Sequence, residues 1–135
     1  VQTFTKSAAQ LVAAAEAEIT ALSPSDLQHR ITGENPPVLI DIRDIRELSK
    51  SGRIVGSVHA PRGMLEFWAD PESPYHRDVF SKNDHLVLYC AAGWRSALAT
   101  KTLQDMGMTG LAHLDGGFAA WLEADLPVEP VENKR

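Results

Sequence analysis

The sequence has a single cysteine, Cys90, among its 135 residues. That excludes an intramolecular disulfide and any zinc or iron–sulfur site built from several cysteines. One thiol also fits a reducing compartment. No apolar run approaches the ~18–20 residues that span a bilayer. Val1–Ser7 lacks the basic-then-apolar build of a secretory signal. A cytoplasmic chain is therefore expected, with a processed exported chain as the alternative. Basic residues are outnumbered, 13 against 18 acidic, for a formal net charge of −5. Nucleic-acid binders carry a basic excess or stripe, so neither nucleic acid nor membrane is expected as a partner. Internal repeats and low-complexity linkers are also missing.

What is present is ordinary globular composition, 44% apolar and 23% charged. The length is that of one domain, enough to bury about 68–70% of its unfolded surface without a metal or disulfide. The five histidines, His29, His59, His76, His85 and His113, form no HxH or HxxxH pair, so no metal is expected, and no cofactor.

Strands and helices alternate at short spacing. Ser7 caps an alanine-rich helix reaching Glu18, and Ile19–Leu22 reads as a short strand. Ser23-Pro24 opens a second helix that stops at Gly33. Val38–Ile40, ending in Asp41, and Leu86–Tyr89 are continuous apolar runs of strands buried on both faces. Between them lie a helix at Asp44–Ser49, a strand at Gly56–Ala60 and a helix at Arg62–Ala69 with Met64, Leu65, Phe67 and Trp68 as its apolar positions. Ser96–Met106 is predicted as a helix with Leu98, Thr102, Leu103 and Met106 on one side and Gly107 just past its end. Leu111–Leu114 is the last strand, Gly117–Ala124 the last helix, and an irregular tail begins at Leu126. The pattern predicts an α/β fold with a parallel sheet and helices on both faces. Ligands in such sheets sit at the carboxyl ends of the strands, which points to Cys90.

Cys90 opens the segment Cys90-Ala91-Ala92-Gly93-Trp94-Arg95-Ser96, between a buried strand and a helix. Ala91, Ala92 and Gly93 are small enough for the backbone to curl tightly, so that its N–H groups form an anion nest. The helix start adds unpaired N–H groups and the positive end of its dipole. Arg95 adds a permanent charge. Such a cup favours the thiolate, the reactive form. A buried structural cysteine needs none of these parts.

Three blocks in order resemble the single-domain rhodaneses, a family of sulfurtransferases. The first is Asp41-Ile42-Arg43, Glu47 and Gly52-Arg53-Ile54-Val55-Gly56-Ser57-Val58-His59-Ala60-Pro61, similar to the family's D-x-R…E…G-H-I-x-G-A-x-x-x-P. The second is the Cys90–Arg95 loop. The third is Leu114-Asp115-Gly116-Gly117-Phe118-Ala119-Ala120-Trp121, similar to L-x-G-G-x-x-x-W. Arg53 stands where the family usually has His. The resemblance implies a rhodanese-like, five-stranded, mostly parallel sheet over residues 19–128, preceded by a helical extension over 1–18 and followed by a tail over 129–135. It implies sulfur transfer through a Cys90 persulfide, with Cys90 and Arg95 catalytic and Ala91, Ala92, Gly93, Trp94 and Ser96 binding substrate. The partners implied are a small-molecule sulfur donor (thiosulfate, a persulfide or a polysulfide) and a thiol or cyanide acceptor, with an acceptor protein as a further partner. Ala91 and Ala92 stand where thiosulfate-specialised members often carry basic residues, which disfavours thiosulfate.

Around this loop, Asp41, Arg43 and Glu47 are expected to brace the turn after the second strand. Gly116-Gly117 is read as a tight strand-to-helix turn and Trp121 as core. Trp94 is expected to point outward beside the entrance, and Arg62–Trp68 is a candidate wall of the cleft. Surface placement is expected for His76. The N-terminal helix is a candidate for association. Two alternatives accompany sulfur transfer. One is a sulfur-carrier or regulatory module with little turnover. The other is a phosphatase of the related cell-cycle dual-specificity type, whose loop has one residue more than the four between Cys90 and Arg95.

Overall fold

The computed structural model describes residues 1–132. Its main sheet has five strands, all parallel, in the order β1-β6-β5-β2-β4. These are β1 (Ala21–Leu22), β2 (Val38–Asp41), β4 (Val58–His59), β5 (Leu86–Tyr89) and β6 (Leu111–Leu114). Alternation along the strands divides the interior into two cores. Ile40, Leu86, Leu88 and Leu111 face one way, beneath α4 (Leu65–Ala69), α5 (Trp94–Asp105) and Phe80. Leu39, Val87, Tyr89, Ala112 and Leu114 face the other, beneath α2 (Pro24–Ile31) and α6 (Gly117–Glu123). The two cores are why β5 and β6 are apolar without interruption except at His113.

Local chemistry sets the helix starts. Ser7 and Gln10 form a reciprocal capping box on α1 (Ala8–Glu16), and Asp44 and Glu47 form another on α3 (Ile45–Ser51). Ser23 caps α2, with Pro24 at its first position. Gly107 follows the end of α5 at φ +102°, where a side chain would be strained. α1 packs along α5, burying Val12 and Ala15.

Three expectations are corrected. The predicted helix Ser96–Met106 begins two residues earlier, and it buries Ser96, Ala97, Ala99, Thr100 and Leu103. Met106, expected inside, is exposed; small side chains on the inner face let α5 lie close to the sheet. The helix predicted over Arg62–Ala69 opens as a 3₁₀ turn over Arg62–Met64, and Phe67 points to solvent while Leu65 and Ala69 are buried. The irregular tail expected from Leu126 contains β7 (Val128–Glu129), which pairs antiparallel with β3 (Arg53–Ile54) as a second sheet. Arg53 donates from Nε to Glu129 Oε1 at 2.8 Å across that pair. The remainder of the tail beyond residue 132 lies outside the described residues.

Candidate active site

β5 delivers Cys90 to the carboxyl edge of the sheet, with neighbours β2 and β6 on either side. The chain then curls, and α5 begins at Trp94 behind Gly93, whose φ of +111° lies in the left-handed region. No side chain caps this helix, so its first N–H groups are left open. Two backbone donors converge on the sulfur. Gly93 N lies 3.2 Å and Ser96 N 3.4 Å from Cys90 Sγ. Cys90 itself is 1% exposed, on the floor of the cup.

The outer side of the loop is pinned by α6. Phe118 N donates to Cys90 O at 2.8 Å and Ala119 N to Ala91 O at 3.0 Å. The open N-terminus of α6 thus takes the loop carbonyls, which turns the loop's N–H groups inward. This close approach accounts for the glycine pair. Gly116 and Gly117 both have positive φ, and a Cβ on Gly117 would sit 2.6 Å from Cys90 O.

The loop residues divide by position. Gly93 and Ser96 are buried against the sulfur, Ala91 and Arg95 are half-buried, and Ala92 and Trp94 are exposed. The Arg95 guanidinium makes a bidentate pair with Glu47, both contacts 2.9 Å. This pair holds the Glu47 carboxyl below its ordinary range, chiefly through the Arg95 hydrogen bonds. It also offsets the charge that Arg95 brings to the cup. Glu47 does more than brace its own turn, because it ties α3 to the Cys90–Arg95 loop. Asp41 and Arg43 form a wholly buried ion pair at 2.8 Å, and Arg43 also donates to Gly52 O and lies over the Phe118 ring. His76 is directed to Trp68 O and Ser81 Oγ, and Arg77 stacks on Trp68.

One residue at the site was not singled out by its sequence. His113 of β6 is 2% exposed and places Nδ1 2.9 Å from Ser96 Oγ, which in turn lies 3.5 Å from Cys90 Sγ. The available signal was a lone polar residue inside a strand otherwise buried on both faces. Its partner is brought in only by the parallel β5–β6 register, in which Leu88 lies opposite His113.

The rhodanese-like domain family model matches residues 23–124. The chain belongs to the rhodanese-like domain family. A solved structure of a protein of unknown function from Rhodopseudomonas palustris, described as a possible tyrosine phosphatase, is 45% identical, with a TM-score of 0.90 over 96% of this chain and 98% of that one. The polysulfide-sulfur transferase homodimer of Wolinella succinogenes is 33% identical, with a TM-score of 0.66 over 89% of this chain and 85% of that one. Human thiosulfate:glutathione sulfurtransferase is 30% identical over 64% of this chain and 80% of its own length. Other curated relatives are matched over as little as 64% or 27% of their own length. The chain is therefore similar in sequence and in architecture to proteins described as sulfurtransferases. Among the described residues no helix is long and apolar enough to cross a membrane.

Proposed function

We propose that this rhodanese-like domain is a sulfurtransferase working through Cys90. The observation that carries the reading is the convergence of the Gly93 and Ser96 N–H groups on the lone thiol. The Cys90 thiolate attacks the outer sulfur of a donor. A bond forms between the two sulfurs as the donor's own bond to that sulfur breaks, and the electron pair leaves with the donor as sulfite or a thiolate. The product is a Cys90 persulfide. A thiolate or cyanide then attacks the terminal sulfur, and Cys90 is released as thiolate. This is nucleophilic catalysis, with the inward N–H groups stabilising the anion as an oxyanion hole does. The cycle calls on no cofactor. Its groups are Cys90 and Arg95, with Ala91, Ala92, Gly93, Trp94 and Ser96 around the donor, within a domain over residues 19–128. A cytoplasmic setting, where thiols and persulfides are at hand, belongs to the same proposal.

The donor class follows from charge. Thiosulfate is a dianion, and the cup's one side-chain cation is already paired with Glu47. A persulfide or polysulfide donor suits this mouth better.

The description of the Rhodopseudomonas palustris neighbour favours a second reading, phosphatase activity. Four residues separate Cys90 from Arg95, and the two converging N–H groups address a sulfur atom. A phosphoryl group has three equatorial oxygens to hold before its phosphorus meets the thiolate, and contacts unrealised at the transition state do not accelerate a reaction.

One experiment separates these readings. Intact mass after incubation with glutathione persulfide, polysulfide or thiosulfate should show the gain of one sulfur, least readily from thiosulfate, and cyanide should remove it. Cys90→Ser should gain none. Loading without discharge to any thiol would support the carrier alternative. Cys90-dependent release of phosphate from an aryl phosphate, with no sulfur gain from any donor, would replace the proposal by phosphatase activity.

A further inference from the structure

The Ser96 hydroxyl has three neighbours and one proton. Cys90 Sγ lies 3.5 Å away, Gly93 O 3.2 Å and His113 Nδ1 2.9 Å. A hydroxyl donates once and accepts up to twice. All three contacts are satisfied together in one arrangement only. The hydroxyl donates to Gly93 O and accepts from the thiol and from a protonated Nδ1. If Nδ1 carried the lone pair, the hydroxyl would have to choose between it and Gly93 O, leaving two acceptors facing each other.

The far nitrogen agrees. His113 Nε2 is buried and has no hydrogen-bond partner among the described residues. A bare acceptor there is tolerated more readily than an orphaned N–H, as with buried backbone groups. Burial pushes the imidazole's pKa down, against the opposing pull of Asp115 after β6 and Glu16 on α1. The ring is therefore neutral at physiological pH, with its single proton on Nδ1.

We propose that His113 is a positioning residue for the nucleophile: its Nδ1–H holds the Ser96 oxygen from behind, leaving the hydroxyl proton free to turn from Gly93 O to the anionic sulfur. The proposal rests on the Cys90 reading above and deepens it. When the thiol loses its proton to water, the S–H donor to Ser96 disappears. The hydroxyl then swings to donate to sulfur, while its lone pair keeps the imidazole donor. His113 gives up no proton at any stage, which distinguishes it from a general base. It acts through Ser96, whose Oγ lies 2.9 Å from Nδ1 and 3.5 Å from Cys90 Sγ.

The test reads thiol ionisation and does not require sulfur transfer, so its failure is separate from that of the sulfurtransferase reading. The ultraviolet absorbance of the thiolate, taken as a difference from Cys90→Ser, gives a pH midpoint for the only thiol. The charged groups around it, Arg95 with Glu47 and the Asp41–Arg43 pair behind them, are common to every variant compared. His113→Leu should move the midpoint upward by about one pH unit, roughly a tenfold loss of thiolate at fixed pH. His113→Asn, whose amide nitrogen takes the place of Nδ1, should recover most of that shift. In a Ser96→Ala background His113→Leu should add little, because the pathway through the hydroxyl is already gone. An unmoved midpoint in folded His113→Leu overturns the proposal, as does an Asn variant no better than the Leu one, which would mark a base. Nitrogen NMR of the wild-type imidazole needs no variant. A proton on Nδ1 is expected, and one on Nε2 overturns the assignment even if every substitution unfolds the chain.

Discussion

Glu47 performs two tasks with one carboxylate. Its Oε2 accepts from Asp44 N to complete the α3 capping box, and both oxygens bind Arg95. The pair is about one-third exposed, so solvent screening keeps it to about 0.5 kcal/mol. The sign of its pH dependence is fixed by the Glu47 carboxyl, whose folded pKa lies below its unfolded value. Such a group contributes stability above the unfolded pKa, and the contribution fades as pH falls through the folded value. Glu47→Gln retains a cap acceptor and removes the charge. Urea unfolding should find it less stable than wild type by about 0.5 kcal/mol at neutral pH. The gap should close as pH drops below the ordinary glutamate value of 4.5. A gap that persists or widens in acid would show that the charge on Glu47 is not what Arg95 recognises.

At the scale of elements, the cup is held by two helix N-termini with opposite tasks. α5 offers its N–H groups to sulfur, and α6 gives its own to the loop's carbonyls. The second contact depends on Gly117, where a Cβ would meet Cys90 O at 2.6 Å and Ala91 O at 2.7 Å. These are backbone atoms, so either α6 retreats or the loop does. Gly117→Ala should cost about 2–4 kcal/mol. A displacement near 1 Å at the nucleophile should lower the rate of Cys90 persulfide formation on the order of 100-fold. Gly107→Ala is the comparison. It is also at positive φ, but its Cβ would meet nothing within 4 Å, so only the backbone strain of about 1–2 kcal/mol is expected. Equal loading rates in the two variants would remove α6 from the account of the site.

Elements with period and punctuation were legible in the sequence. The runs Val38–Ile40 and Leu86–Tyr89, the Ser7 and Ser23 caps and Gly107 all stand where the structure has them. The start of α5 was not legible, because a helix that reserves its first N–H groups for sulfur carries no capping side chain. A Ser or Asp at Gly93 would place its own oxygen among those donors. The β3–β7 pair was missed for another reason, since its two short strands come from distant parts of the chain and meet only in the antiparallel pairing of Arg53–Ile54 with Val128–Glu129. Cys90 and its loop could be read because they are contiguous. His113 could not, because it joins Ser96 only after β6 has paired with β5.

For the whole molecule, the family match begins at residue 23, while α1 lies before it and packs along α5. Neither apolar core includes an α1 residue. What residues 1–18 contribute is the burial of Val12 and Ala15 on α1 and, just past the helix, a hydrogen bond from Gln104 Nε2 to Glu18 O at 3.0 Å and the Lys101–Glu18 pair at 3.2 Å. Burying one valine and one alanine is favourable by about 2–3 kcal/mol, and fixing the helix opposes part of this. Removal of residues 1–18 should therefore cost about 1–2 kcal/mol, a fall in Tm of roughly 4–8 °C for a domain of this size. The truncated chain should still fold around its two cores and take up sulfur on Cys90, because every group shown to contact the sulfur comes from the loop or α5. A truncated chain that is folded by circular dichroism yet fails to load Cys90 would place α1 in the catalytic unit. The helix would then be holding α5, and with it the open N-terminus of the cup, in the position that sulfur uptake requires.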